Sequence, residues 1–294
     1  MAFNKAVFQT RALTALIFVV VMLTGLLWKF PLFFLLFIII AVGCWYEFVK
    51  IIALINRARI PGYIKVLLPV CGILLVITGA AGYFSLQFGV GGFTRVSRII
   101  PLSWLLIPLL AFLLVRFCKM DNSRNKYLFL AGFAYLSVPF ALLINLRLFD
   151  VAGNPLNIPV GKILVCGMVF SIWINDTMAY LVGSFFGRTP LSAISPKKTW
   201  EGTIGGMLLC ILTISLAGYF IPVAKNVNWY HWVSVSAIAA IAGTFGDLLE
   251  SRLKRSAGLK DSGSIMPGHG GFLDRFDSLI LATPFVWMYV NLMM

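Results

Sequence analysis

Apolar residues along this 294-residue chain come in long unbroken runs rather than short periodic stripes. Runs long enough to cross a bilayer lie at about 12–29, 31–49, 64–86, 99–117, 127–147, 162–184, 203–223, 229–249 and 276–294. Each holds few charges, and none alternates with period two as a barrel strand would. Hydrocarbon offers the backbone no hydrogen-bond partners, so spans of this kind are helices. The pattern predicts an all-α polytopic membrane protein with about nine transmembrane helices. The run at 64–86 is Gly-rich and that at 127–147 contains Pro139, so these two are the least regular. A basic N-terminus precedes the first run, which is long and lacks an obvious small-residue cleavage site; it reads as a retained span rather than a signal peptide.

Composition agrees. Hydrophobic residues make up 60% of the chain and charged residues 12%, with a mean hydropathy of +0.95. Soluble domains carry about 25% charged residues. The net charge of +14 sits mainly in short connections between apolar runs. That placement fits topology-setting charge and anionic lipid, and it argues against a nucleic-acid partner. With the N-terminus inside, 18 Lys and Arg fall on inner segments and 6 on outer ones. The two long polar connections of the C-terminal half, 185–202 and 250–275, then both face the cytoplasm. The five cysteines are scattered without a CxxC pair and read as packed thiols.

Candidate chemistry is concentrated late in the chain. Only ten residues are acidic; three precede residue 160, and five (Asp247, Glu250, Asp261, Asp274 and Asp277) fall within 246–278. The shift divides the chain into 1–160, a bundle shaping a lipid-facing cavity, and 161–294, the catalytic region. On a helix, Asp247, Glu250, Ser251 and Lys254 share one stripe, opposite Leu248, Leu249 and Leu253. Carboxylate, hydroxyl and ammonium on one face suit a divalent ion with bound phosphate, although Glu250 and Lys254 also form an ordinary i, i+4 pair. Further on, Gly268, Gly270 and Gly271 surround His269 in a turn fit for an anion. His269 is an acid/base or only a phosphate donor; a lone His does not decide, and without a second one zinc is disfavoured. Asp274 and Asp277 open the last span on one face, where capping is their plainer explanation. The other connection holds Ser195-Pro196-Lys197-Lys198-Thr199, which is not a Walker A sequence. Asp176 lies inside a span, where a carboxylate is expensive and reads as functional; Glu47, near the inner end of the second span, reads as a snorkelling or interhelical group.

The run Ser251-Arg-Leu-Lys254-Arg255, Lys260-Asp261, Pro267-Gly-His269-Gly270-Gly271 and Asp274-Arg275-Phe-Asp277 resembles the phosphatidate cytidylyltransferase (CDP-diacylglycerol synthase) family. The likeness extends through Ser195–Gly202 and the Asp176 span, covering about 170–280; before residue 160 it rests on hydropathy alone. It implies transfer of a cytidylyl group from CTP to phosphatidic acid, giving CDP-diacylglycerol and pyrophosphate in phospholipid biosynthesis. It implies Mg²⁺ on Asp247 and Asp274, with Asp277 as a further metal residue, and a K⁺ ion beside it. Lys254 and His269 join the two aspartates as catalytic candidates. Ser195, Pro196, Lys197, Lys198, Ser251, Arg255, Lys260, Gly270, Gly271, Arg275 and Asp176 are the substrate-binding candidates. Whether Asp176, Glu250, Asp261 and Asp277 touch metal or only support the residues that do stays open. A homodimer in a bacterial inner membrane, with N-terminus and site cytoplasmic, completes the expectation. Two rivals fit poorly: the DGxxAR run of CDP-alcohol phosphatidyltransferases is missing, and the repeated halves of an ion-coupled transporter are not seen.

Overall fold

A computed structural model describes residues 5–56, 61–81, 83, 103–117, 123–150, 160–264 and 270–294. Nine long helices are found among the described residues, one for each apolar run. They are α1 (Lys5–Leu27), α2 (Phe30–Asn56), α3 (Gly62–Thr78), α4 (Ser103–Phe117), α5 (123–147), α6 (Val160–Phe186), α7 (Trp200–Phe220), α8 (Trp229–Ser256) and α9 (Leu273–Met293). Six segments are long and apolar enough to cross a membrane: Phe30–Ile55, Lys126–Arg147, Val160–Phe186, Trp200–Phe220, Trp229–Ser256 and Leu273–Met293. Ala12–Leu27, Gly62–Thr78 and Ser103–Phe117 are apolar but shorter. The chain is therefore an all-helical, multi-pass membrane protein. Within the 64–86 run the helix α3 ends at Thr78 and the chain turns at Gly79 and Ala80, with helical backbone again at Ala81 and Tyr83.

The irregularity at Pro139 takes a defined form. Helix α5 contains a π-helical turn, Phe133–Ser137, followed directly by Val138–Arg147. Proline has no N–H to give and its ring crowds the carbonyl four residues earlier, so a wider turn just before it relieves both problems.

Helices α6 to α9 form the bundle that carries the polar residues, with α6 against α7 and α8 against α9 as its main contacts. Small residues set the α6–α7 crossing. A Cβ on Gly206 would lie 2.7 Å from both the Cβ and the backbone nitrogen of Ala179, and one on Gly202 would lie 2.8 Å from the Cα of Gly183. Gly202 and Gly206 thus meet Ala179 and Gly183 as two small-xxx-small faces, which allow close backbone approach where no hydrophobic effect drives helices together. Helices α2, α3 and α5 pack beside this bundle around Phe33, Phe37, Trp45 and Phe140. Four cysteines, Cys44, Cys71, Cys166 and Cys210, are free and buried; Cys118 lies outside the described residues.

Candidate active site

The connection between α6 and α7 is a small antiparallel hairpin, β1 (Pro190–Ser192) and β2 (Ser195–Thr199). Its base is closed by Trp200 N–H donating to the Thr189 carbonyl, 2.9 Å. Glu201 accepts from the backbone N–H groups of Arg188 (3.1 Å) and Thr189 (3.1 Å), while Thr199 Oγ1 caps α7 by accepting from Gly202 N–H at 3.2 Å. Thr199 and Glu201 therefore fix the strand that carries Lys197 and Lys198 at the mouth of the bundle.

Below the hairpin lies a cavity of about 450 Å³. Its wall includes Asp176 from α6, Ser195, Lys197 and Lys198 from β2, Asp247 from α8, and Asp274 and Asp277 from α9. Buried Asn175, Thr203, Thr244 and Ser278 supply further polar lining. Both connections read from sequence contribute to this wall, 185–202 through Ser195, Lys197 and Lys198 and 250–275 through Asp274, and Lys198 also forms an ion pair with Asp247 of α8. Gly246 permits the approach of α9, because a Cβ there would lie 2.5 Å from the Asp277 carbonyl oxygen.

Three carboxylates gather where α8 meets α9. Asp247, Glu250 and Asp277 each offer an oxygen, and these atoms lie within 4.8 Å of one another. Glu250 has 0% exposure and Asp277 6%. Lys254 pairs with Glu250 at 2.5 Å and with Asp274 at 2.6 Å, so one ammonium bridges α8 and α9. Carboxylates this close and this buried need cations or protons; Lys254 on Glu250 and Lys198 on Asp247 supply two charges, and hard divalent ions are the usual ligand of an all-oxygen set. The donor set therefore fits a divalent metal.

Asp274 shares the cavity wall, but its oxygens are already engaged. Beyond Lys254 it accepts from Ser262 N–H (2.9 Å) and Gly271 N–H (2.8 Å), and Ser262 Oγ, whose one proton faces the nearer Glu47 oxygen at 2.6 Å, lies 3.0 Å away. Gly270 has φ +83°, and a Cβ there would lie 2.5 Å from Asp274 Oδ2. The turn that the sequence presents as an anion cradle wraps, in this structure, around the chain's own carboxylate. Ser251 is half-buried on α8, and Pro196, Arg255, Lys260, Asp261 and Arg275 are exposed; none of these is part of the cavity wall. His269, with Pro267 and Gly268, lies outside the described residues.

Glu47 has a larger structural role than a lone charge near the end of a span suggests. It is 2% exposed and accepts from Phe272 N–H and Leu273 N–H, both at 2.9 Å, and from Ser262 Oγ at 2.6 Å. It thus caps α9, whose own N-cap residue, Phe272, makes no side-chain cap.

Comparison with known proteins extends the picture. The model of the cytidylyltransferase family matches residues 9–293. A chloroplastic phosphatidate cytidylyltransferase 5 from Arabidopsis thaliana is 43% identical over 147 residues, 48% of this chain and 35% of that protein. The phosphatidate cytidylyltransferase of Synechocystis sp. is 34% identical over 208 residues, 63% of this chain and 69% of the relative. That of Staphylococcus aureus is 39% identical over 165 residues, 55% and 60% of the two chains. Against the plant relatives, the chain spans about a third of their length. With a family match over nearly its whole length, and an acidic, lysine-lined cavity in its C-terminal bundle, the chain belongs to the cytidylyltransferase family.

Proposed function

We propose that this protein transfers a cytidylyl group from CTP to phosphatidic acid, forming CDP-diacylglycerol and pyrophosphate. The observation that carries this reading is the charge balance of the cavity. Four carboxylates line it (Asp176, Asp247, Asp274, Asp277) against two ammonium groups (Lys197, Lys198). Such a wall repels a triphosphate and a lipid phosphate unless divalent cations accompany them, which is how nucleotides bind. Asp247 and Asp277, with Glu250 closing the trio, would hold Mg²⁺; Asp274 stands beside them on the same wall. Bound there, the ion would supply Lewis-acid charge neutralisation for phosphoryl oxygens.

The remaining work falls to the chain's own residues. A phosphate monoester is already an anionic nucleophile, so no strong general base is needed; the task is to align two polyanions. An oxygen of phosphatidic acid attacks the α-phosphorus of CTP, a new P–O bond forms, and the bond to the bridging α,β-oxygen breaks. Lys197 and Lys198 on β2 neutralise the departing pyrophosphate. Lys254 keeps Glu250 and Asp274 in place and offers further positive charge beside the acidic trio. The hairpin covers the nucleotide while the acyl chains stay in lipid. In this reading all nine helices cross a bacterial inner membrane, with the N-terminus and the cavity mouth on the cytoplasmic side, where CTP is found.

The test uses purified protein in mixed micelles with phosphatidic acid and α-³²P-CTP, with and without Mg²⁺, beside Asp277→Asn. Label should enter the organic phase only with wild-type protein and Mg²⁺. Folded wild-type protein that transfers no label would refute the assignment.

A further inference from the structure

A buried side chain from the first half of the chain reaches the site. Glu47 projects from α2, far from every cavity-lining residue in sequence, yet both its oxygens end at the segment that leads into α9. Oε1 accepts from Phe272 N–H, and Oε2 accepts from Leu273 N–H and the Ser262 hydroxyl. That hydroxyl is also 3.0 Å from Asp274 Oδ2, and Asp274 Oδ1 holds Lys254, which holds Glu250. A continuous polar chain thus runs from α2 through Ser262, Asp274 and Lys254 to the carboxylate trio. Its starting point is built in: a Cβ on either Gly263 or Gly271 would collide with the Glu47 carboxylate, so both glycines leave room for it.

Capping α9 accounts for the bonds from Phe272 and Leu273 N–H, since the first turn of a helix leaves four N–H groups unpaired. The bond from the Ser262 hydroxyl goes further: Glu47 ties residue 262 to residues 272 and 273, and Asp274 is held by the N–H groups of Ser262 and of Gly271, the neighbour of Phe272. We propose that Glu47 is a positioning residue for cytidylyl transfer, setting Asp274 and through it Lys254 without touching substrate. This rests on the reaction assigned above. The functional requirement is geometric: misplacement of a reacting group by about 1 Å costs on the order of a hundredfold in rate.

The experiment compares wild type, Glu47→Gln, Glu47→Asp, Ser262→Ala and the Glu47→Gln/Ser262→Ala double variant in mixed micelles. Three readouts are taken on each: kcat and KM for both substrates, the thermal midpoint, and hydrogen exchange of the peptide covering 260–276. Glu47→Gln, which keeps the volume but only one acceptor oxygen, should lower kcat roughly tenfold to a hundredfold with both KM values little changed. Exchange in 260–276 should rise while that of α6 and α7 stays put, and Glu47→Asp should recover part of kcat. The double variant should be no slower than the worse single one, because both act through the same link. Wild-type kcat in Glu47→Gln overturns the role, as does a loss confined to KM or multiplicative losses in the double variant. A Glu47→Gln protein too unfolded to assay, beside a fully active Ser262→Ala, reduces Glu47 to a cap and also overturns it. Wild-type protein without any transfer activity overturns the reaction assignment itself, a result separable from all of these.

Discussion

Replacing Lys254 with Met removes the one ammonium that faces two carboxylates inside the α8–α9 contact. The Lys254 side chain is 12% exposed, its partner Glu250 0% and Asp274 10%. Truncating one partner of a buried pair leaves an uncompensated charge and costs about 3–5 kcal/mol. An exposed i, i+4 pair would lose only about 0.3–0.5 kcal/mol. The burial decides between these figures, and the larger one applies. The two carboxylates are not stranded equally. Asp274 keeps its bonds from Ser262 and Gly271, whereas Glu250 is left without an ion pair among the described residues, beside Asp277 and beside Asp247, which keeps Lys198. Most of the loss should therefore return when Glu250→Gln is added to Lys254→Met.

Unfolding in detergent, followed by tryptophan fluorescence, measures this directly. Lys254→Met should be destabilised by about 3–5 kcal/mol, and the double variant by clearly less. Mg²⁺ supplies an additional check on sign. Removing an ammonium 2.5 Å from Glu250 takes away a competitor for the trio, so Mg²⁺ should raise the midpoint of Lys254→Met more than that of wild type. Wild-type stability in the single variant, or no recovery in the double, would refute the buried-pair argument. Equal Mg²⁺ responses would detach the metal from Glu250.

Lys198→Met removes the ion pair to Asp247 from the hairpin and should raise KM for CTP roughly tenfold, about 1.4 kcal/mol, with a smaller effect on phosphatidic acid; unchanged CTP dependence in initial-rate assays would return Lys198 to surface charge. Gly206→Leu drives a side chain into the backbone of α6 at Ala179 and should cost more than about 3 kcal/mol in the same unfolding assay, whereas Leu208→Ala, on the exposed face of α7, should cost under about 0.5 kcal/mol. Single cysteines at Ala193 and Lys260, both exposed, should react with a membrane-impermeant maleimide only in inverted vesicles; labelling from the periplasmic side would reverse the proposed orientation.

What could be read from sequence was what local periodicity encodes. The nine helices follow from run length, because in hydrocarbon the backbone has so few options. The face of α8 carrying Asp247, Glu250 and Lys254 follows from 100° per residue, and the meeting of the two long connections from charge distribution. Three features did not emerge. The grouping of Glu250 with Asp277 depends on how α9 crosses α8, which Gly246 permits but does not announce. The π-turn ahead of Pro139 is one of several ways to relieve a proline. The small faces at Gly202 and Gly206 were present in the sequence as a GxxxG spacing, overshadowed by the lysine loop just before them.

Glu47 shows why the N-terminal half resists reading most. A lone carboxylate in an apolar run has a meaning only once its partner is known, and its partners are backbone N–H groups, which have no residue identity. No sequence pattern in 260–276 asks for an acceptor from α2; the request is made by the empty cap at Phe272 and by two glycines that leave space for the oxygens. Conversely, Gly270 and Gly271 read in sequence as ligand-binding glycines, because a glycine-rich turn beside carboxylates suits an anion site. The same geometry serves when the anion is a side chain of the protein itself, and the two uses differ only in which carboxylate arrives. A division at residue 160 into a lipid-shaping half and a catalytic half therefore describes where the polar residues lie in sequence. The hydrogen bonds of Glu47 run across that division, so the first half contributes to holding the site as well as to surrounding it.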